Sequence, residues 1–218
     1  MKESNIFTKN IIGIIAIGII KFIADAVICP AVDSVIVYTV TDWLYTGVFC
    51  FAAAIILSEN GCIFPCLEKG GKLLSRSSVV RMIIAFLISS AITSSVVVRA
   101  VLVCFGENAS ASVALGVLEA FGWIVIYITM TVKNSNSPRI AGLLAVCASA
   151  IVFSVISQYI SAVRLYALMQ NADGTLLNYL LMITATDYIS LGISCVAEIL
   201  IMCSMAVAAH FFRRKNSV

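Results

Sequence analysis

Charged residues and histidine are scarce in this chain. Of its 218 residues, 11% are charged, three are proline and only one is histidine. A soluble domain usually carries about 25% charged residues, so this chain has too little polar surface to cover a water-soluble fold. A single histidine also excludes haem held by two histidines and metal sites built from several. We therefore expect neither a soluble domain nor a metal or other cofactor.

Catalytic and nucleotide-binding motifs are missing as well. The sequence contains no glycine-rich phosphate loop, no serine-nucleophile elbow and no glycine-rich dinucleotide turn. Cys62 and Cys66 lie four positions apart, which is not the spacing of a redox pair. The formal net charge of +3 is spread along the chain, without the clustered basic face that nucleic-acid binding requires. The sequence therefore indicates no nucleic-acid partner and no reactive group of residues.

Apolar residues are abundant and lie in long runs. The chain is 61% hydrophobic, and a helix of about 20 apolar residues crosses a membrane while satisfying its own backbone groups. Six runs are long enough; their approximate bounds are Ile11–Cys29 (ended by Pro30), Val37–Leu57, Val79–Phe105, Ala111–Val132, Ile140–Met169 and Leu176–Phe212. The sequence therefore predicts an all-α integral membrane protein, a bundle of about six transmembrane helices that forms one polytopic domain over residues 1–218.

Lysine and arginine fall mainly on one side of these spans. Eleven of the fourteen basic residues precede span one, follow spans two and four, or follow span six: Lys2, Lys9, Lys69, Lys72, Arg76, Arg81, Lys133, Arg139, Arg213, Arg214 and Lys215. Cytoplasmic segments retain positive charge. The pattern therefore predicts a multi-pass protein of the plasma (inner) membrane with both termini in the cytoplasm. The lipid bilayer is then an expected partner.

Charged side chains inside the spans are the main functional clue, because lipid excludes them unless they face protein, water or a partner. With the predicted orientation, seven lie in the outer half of the bilayer: Lys21, Asp25, Asp42, Arg99, Glu119, Arg164 and Asp187. Lys21 and Asp25 are four residues apart on one helix face and can pair. These residues predict a polar, ligand-binding cavity that is open to the outside and closed toward the cytoplasm. Structural ion pairing explains the same residues without a ligand.

Glu198 differs from the other charged residues in its depth. It shares a helical stripe of span six with Asp187 and Ser194, but it lies deeper in the span, where no basic residue is expected beside it. This position makes Glu198 a candidate for proton coupling or for contact with a partner chain.

Span five carries serines at helical spacing. Ser154, Ser157 and Ser161 follow one face toward Arg164. Small polar residues of this kind let helices approach closely and hydrogen-bond to each other. The stripe therefore either lines the cavity or packs against another helix.

The count, length and direction of the six spans resemble those of the substrate-binding subunits of energy-coupling factor vitamin transporters. Those subunits are compact six-span proteins with both termini inside and a binding site toward the outer face. The resemblance implies a membrane subunit that binds a small solute, although no motif matches residue by residue. Span one lacks the pair of alanines four apart with which many such subunits dock.

Three functions are compatible with these features. The first is membrane transport, or a substrate-binding subunit, for a small polar or zwitterionic solute, since a cavity of mixed charge suits a ligand bearing both signs. The second is a non-catalytic membrane subunit, immunity factor or regulator whose intramembrane charges pair with a membrane or cytoplasmic partner chain. Glu198 facing away from the bundle would favour this alternative. An enzyme acting on lipid, with Glu119 or Asp187 as acid or base, has the least support.

Overall fold

The computed structural model describes residues 2–32, 35–57, 76–105, 109–131, 138–170 and 188–216. All regular secondary structure in these ranges is α-helical, which confirms the predicted class for this part of the chain. The helices are α1 (Lys2–Val32), α2 (Val35–Ile56), α3 (Arg76–Ile92), α4 (Ser95–Phe105), α5 (Ala109–Thr131), α6 (Pro138–Gln170) and α7 (Tyr188–Asn216).

Five stretches in these helices are long and apolar enough to cross a membrane. They are Asn5–Val27, Arg76–Val98, Ser110–Thr131, Ile140–Val163 and Tyr188–Phe211. Large apolar side chains also cover the outside of the bundle; Val103 is 84% exposed and Ile140 68%. A helix that is apolar on its outer as well as its inner face is typical of a membrane span. The helices therefore support a multi-pass membrane protein.

The second predicted span falls on α2, whose apolar stretch Trp43–Ile56 is shorter than the other five. The fourth and fifth predicted spans coincide closely with α5 and α6. The start of the sixth, residues 176–187, lies outside the described residues, and α7 covers the remainder.

Two predicted helix limits differ from the structure. The first is Pro30, which does not end span one, because the backbone of α1 remains helical through it to Val32. Proline removes one backbone donor and crowds the carbonyl four residues earlier. Because Pro30 lies in the last turn, these effects remove little helical structure, and α1 ends two residues later.

The second difference is a break inside the third predicted span, where α3 ends at Ile92 and α4 begins at Ser95. The hydroxyl of Thr93 donates to the carbonyl of Ser89. The backbone N–H of Ser94 donates to the carbonyl of Ala91, which is three residues earlier instead of four. Hydroxyl side chains compete for backbone partners in this way and weaken a helix interior. The dense group of serine and threonine residues here accounts for the break.

The helices form a closed ring in the order α1, α2, α3, α5, α6, α7 and back to α1. The largest interfaces are those of α5 with α6 and α6 with α7, followed by α3 with α5 and α1 with α7. The short helix α4 packs on α5. A ring of this kind encloses a central space that every helix can line.

One end of the bundle gathers the basic residues. Phe7 near the start of α1 lies 4.9 Å from His210 near the end of α7, measured between ring centroids. Arg81 near the start of α3 donates to the carbonyl of Met130 near the end of α5. Eight of the eleven basic residues in the described ranges belong to this end by their place in the helices: Lys2, Lys9, Arg76, Arg81, Arg139, Arg213, Arg214 and Lys215. We call it the basic end.

The apolar core lies toward the basic end. Large apolar side chains there with 1% or less of their surface exposed include Ile14, Ile56, Val146, Ile201, Met202 and Met205. They come from α1, α2, α6 and α7, so the ring is filled with side chains on this side. Lys21 and Glu198 lie farther from the basic end, along α1 and α7 respectively, than these core residues do.

Small residues bring α5 and α6 into close contact. A Cβ added at Gly116 would lie 2.6 Å from the Cα of Val155 and 3.0 Å from the carbonyl oxygen of Ser154. Ser154 and Ser157 are buried at 0% and 2% exposure. Of the two roles open to the serine stripe, these two serines therefore serve helix packing.

Replacing Gly116 with alanine should push α5 and α6 apart, because the added Cβ meets backbone rather than a mobile side chain. We expect a loss of about 1–3 kcal/mol in the free energy of unfolding, measured by denaturant titration in mixed micelles. Gly192→Ala is the matched control, since its Cβ would lie 3.7 Å from the ring of Phe22, an ordinary contact. Equal stability of the two variants would contradict the close packing of α5 on α6.

Candidate functional site

A cavity of about 330 Å³ lies inside the ring. All seven helices contribute to its lining, and most of that lining is apolar or aromatic. The charged residues in the described part of this lining are Lys21, Asp25, Glu119 and Glu198. The structure thus brings together four of the eight charged residues that the sequence singled out.

Lys21 and Glu198 form an ion pair across the interface of α1 and α7. The Lys21 Nζ lies 2.5 Å from Oε1 of Glu198, and the two side chains are 10% and 12% exposed. Charges inside an apolar bundle are costly unless they are paired. Gly18, one turn before Lys21, leaves room for the side chain of Ile199. The absence of a side chain at Gly18 therefore lets α1 and α7 approach at the level of the pair.

This pair corrects the expectation that Glu198 has no basic residue at its level. The predicted depths of the two residues were counted from the predicted ends of the spans. At the basic end, α1 begins well before Ile11 and α7 continues a shorter way past Phe212. Lys21 and Glu198 therefore lie at the same level. The second oxygen of Glu198, Oε2, is buried and has no hydrogen-bond partner within the described part of the chain.

Two further groups surround the Lys21 ammonium. It lies 5.9 Å from the ring centroid of Phe49 on α2, within cation–π range. Asp25, one turn further along α1, is near enough to interact with it electrostatically, as the sequence spacing predicted. The ammonium therefore has carboxylates and an aromatic ring around it, and its short hydrogen bond goes to Glu198 rather than to Asp25.

On α5, Glu119 and Trp123 are four residues apart on one helix face and both line the cavity. The side-chain amide of Gln158 on α6 donates to Oε2 of Glu119 over 3.1 Å, which orients this carboxylate. Trp123 meets Phe49 edge to face, with the ring centroids 5.5 Å apart. This aromatic contact joins the Glu119 side of the cavity to the Lys21 side.

The other predicted site residues are described only in part. Asp42 belongs to α2, Arg99 to α4 and Arg164 to α6, but their side chains lie outside the described part of the structure, and Asp187 lies outside the described residues altogether. Arg99 directly follows Val98, which lines the cavity. Ser194, on the predicted stripe of span six, lines the cavity with Glu198.

Several lining residues were not predicted from the sequence. Gln158 is an amide inside an apolar helix, and it lies next to Ser157 of the serine stripe. Trp123 follows Glu119 at the spacing of one helix face. Both signals are present in the sequence. Because aromatic residues and single amides are common in membrane spans, neither signal identifies a cavity residue. Tyr45 and Phe49 carry no sequence signal that separates them from lipid-facing aromatics.

Comparisons with known proteins provide no relative for this chain. No family model, curated protein or solved structure matches it. Within the described ranges, no three histidine, cysteine or acidic side chains come together as a metal site. The features that bear on function are a small cavity inside the ring and the carboxylates, the Lys21 ammonium and the aromatic rings in its described lining.

Removing one partner of the ion pair should destabilise the bundle. Lys21→Met removes the ammonium that donates to Glu198, and Glu198→Gln removes the charge of the carboxylate that accepts from Lys21, so each variant should lose about 3–5 kcal/mol in the free energy of unfolding. The double variant should lose less than the sum of the two, because neither member of this pair is then left without the other. Denaturant titration in mixed micelles measures all three. Strictly additive losses would show that the two charges do not stabilise each other.

Proposed function

We propose that this protein binds a small polar or zwitterionic solute in the internal cavity, either as a membrane transport protein or as the substrate-binding subunit of one. The observation that carries the proposal is the cavity with Lys21, Asp25, Glu119 and Glu198 in its lining. A bundle that needed only stability would gain more from apolar packing there, because buried ion pairs contribute little compared with well-packed hydrophobic side chains.

The size and lining of the cavity support a small-molecule ligand. Ligand pockets usually measure about 300–1,000 Å³ and combine apolar walls with a few well-placed polar groups. A cavity of about 330 Å³ falls at the lower limit of this range. Its charges of both signs suit a solute that is itself polar or zwitterionic.

The orientation that we propose has six spans with both termini in the cytoplasm, in the plasma (inner) membrane. The basic end of the bundle would then face the cytoplasm, as positive charge usually does. The cavity would lie in the outer half of the bilayer, with the apolar core around Met202 and Met205 closing it on the cytoplasmic side. α2 would serve as the remaining span.

Labelling from outside the cell tests this orientation. Cys104 lies in α4, near the end of that helix, and its side chain is exposed. In a variant that retains only this cysteine, a membrane-impermeant maleimide should label intact cells. A variant whose single cysteine comes from Ser217→Cys, which directly follows the last residue of α7 in the sequence, should be labelled only after lysis. The reverse pattern would overturn the proposed orientation.

Native mass spectrometry of the protein, purified gently from its own membranes, tests the function. We expect a bound small molecule, with or without a co-purifying ATPase module, and we expect it to be lost in Glu119→Gln. Ser149→Ala is the control variant, because Ser149 pairs with Ser204 between α6 and α7 and does not line the cavity.

A stoichiometric membrane partner without any solute would overturn the proposal. The protein would then be a non-catalytic subunit, immunity factor or regulator. Glu198 facing away from the bundle would have favoured that alternative, but Glu198 pairs with Lys21 of the same chain.

A further inference from the structure

A second concave region lies on the outside of the bundle, between α3, α4 and α5. Leu87 and Ile88 on α3 are 59% and 42% exposed there, so this region opens toward the surroundings of the bundle. The described residues that line it are all apolar: Leu87, Ile88, Ala91, Ile92, Val97 and Leu118. We call it the apolar groove. Its aliphatic side chains offer no hydrogen bond to a polar ligand, but they match an apolar chain.

The apolar groove adjoins the internal cavity. Ile92 at the end of α3 and Leu118 on α5 line both of them, and each is half-buried. On α4, Val97 lines the groove and its neighbour Val98 lines the cavity. In the described part of this wall, the side chains of Ile92 and Leu118 therefore lie between the groove and the cavity.

This wall differs from the interface of α1 and α7 in what holds it together. Lys21 and Glu198 join α1 to α7 by an ion pair, which is costly to separate in an apolar bundle. Ile92 and Leu118 are aliphatic, and such side chains exchange between staggered rotamers on a short timescale. Of the two places, the wall at Ile92 and Leu118 is therefore the easier one to open.

The break between α3 and α4 lies at this wall. α3 ends at Ile92 and α4 begins at Ser95, within a stretch, Arg76–Val98, that is apolar enough to cross a membrane. Backbone that is not helical is tolerated at membrane depth where it is buried in protein or lines a cavity, and Thr93 at the break lines this cavity. Interrupted helices are a usual feature of the binding sites of membrane transporters. The break therefore brings the apolar groove beside the proposed binding site.

We propose that the solute is an amphiphile. Its polar or zwitterionic group occupies the cavity, and its apolar chain passes between Ile92 and Leu118 and lies in the apolar groove. Because the groove opens on the outside of helices that span the membrane, acyl chains surround it, and such a ligand reaches the cavity from within the bilayer. This inference rests on the proposed solute-binding function and names its ligand class, a molecule with a polar or zwitterionic headgroup and an apolar chain.

Photolabelling shows where the chain lies. The probe is lysophosphatidylethanolamine, a zwitterionic amphiphile, with a diazirine in its acyl chain. It is added to the full-length protein in lipid nanodiscs, and the labelled residues are identified by mass spectrometry. We expect labelling at groove residues such as Leu87 and Ile88, and excess unlabelled lysophosphatidylethanolamine should remove it. Labelling at Ile151 and Val152, which are exposed on α6, should change little, because contact with bulk lipid does not saturate.

A competitor without a chain tests the need for an amphiphile. Glycerophosphoethanolamine has the same headgroup and no acyl chain. Burial of two methylene groups in a membrane already favours partitioning about tenfold, so this compound should compete at least about tenfold less well than lysophosphatidylethanolamine.

Variants test the groove and the cavity separately. Ala91→Phe fills the groove from an exposed position and should abolish the saturable labelling. Val152→Phe, at an exposed position of α6, is the matched control and should leave it unchanged. Ser194→Phe fills part of the cavity and should also reduce labelling in the groove, because the headgroup then has no place. Unfolding midpoints are measured in parallel, and Ser194→Leu, with a smaller side chain, replaces Ser194→Phe if that variant unfolds.

The outcomes separate this inference from the function on which it rests. Groove labelling that is unchanged when the cavity is filled would show only bulk lipid chains in the groove and would overturn the inference. Equal competition by glycerophosphoethanolamine would overturn it as well and leave a solute-binding function intact. If no saturable labelling of the groove occurs, the amphiphile inference fails, and the co-purification experiment decides the function independently. A retained solute without an apolar chain in that experiment would support solute binding and overturn the inference.

Discussion

The ion pair between Lys21 and Glu198 sets the register of α1 against α7. In an apolar bundle, separating an ammonium from a carboxylate is costly, so neither helix can slide or rotate far without breaking the pair. These are the first and last helices of the described chain, and their contact closes the ring. The enclosed cavity therefore depends on this pair, whose two members also belong to its lining.

The interior is divided into a packed part and a polar part by the kinds of residue that each helix supplies. Near the basic end, isoleucine and methionine side chains fill the ring. Toward the other end, the small residues around Gly116 hold α5 against α6, while the break between α3 and α4 interrupts the third span beside the cavity. Ser89 and Thr93 at that break belong to the cavity lining. Thr93, whose hydroxyl bonds to the helix backbone at the break, is thus also a lining residue.

The two sides of the cavity hold carboxylates in different ways. Glu198 is held by a full positive charge, and Glu119 by the amide of Gln158. An amide donor orients a carboxylate, whereas an ammonium group also offsets its charge. The contact between Phe49 and Trp123 connects the two sides. Phe49 therefore lies against both the Lys21 ammonium and Trp123.

The sequence by itself predicted that the chain lies in lipid, that it is helical and which charged residues fall inside its spans. Apolar runs of spanning length require helices that satisfy their own backbone in lipid, and the scarcity of charge makes each intramembrane charge notable. The partners of these charges depend on how neighbouring helices are aligned, which residue counts from approximate ends do not define. Only the tertiary structure paired Lys21 with Glu198, placed Ser154 in the contact between α5 and α6, and brought Gln158 beside Glu119 and Phe49 beside Trp123. Those contacts arise between distant parts of the chain, where close packing and the cost of unpaired charge decide the arrangement.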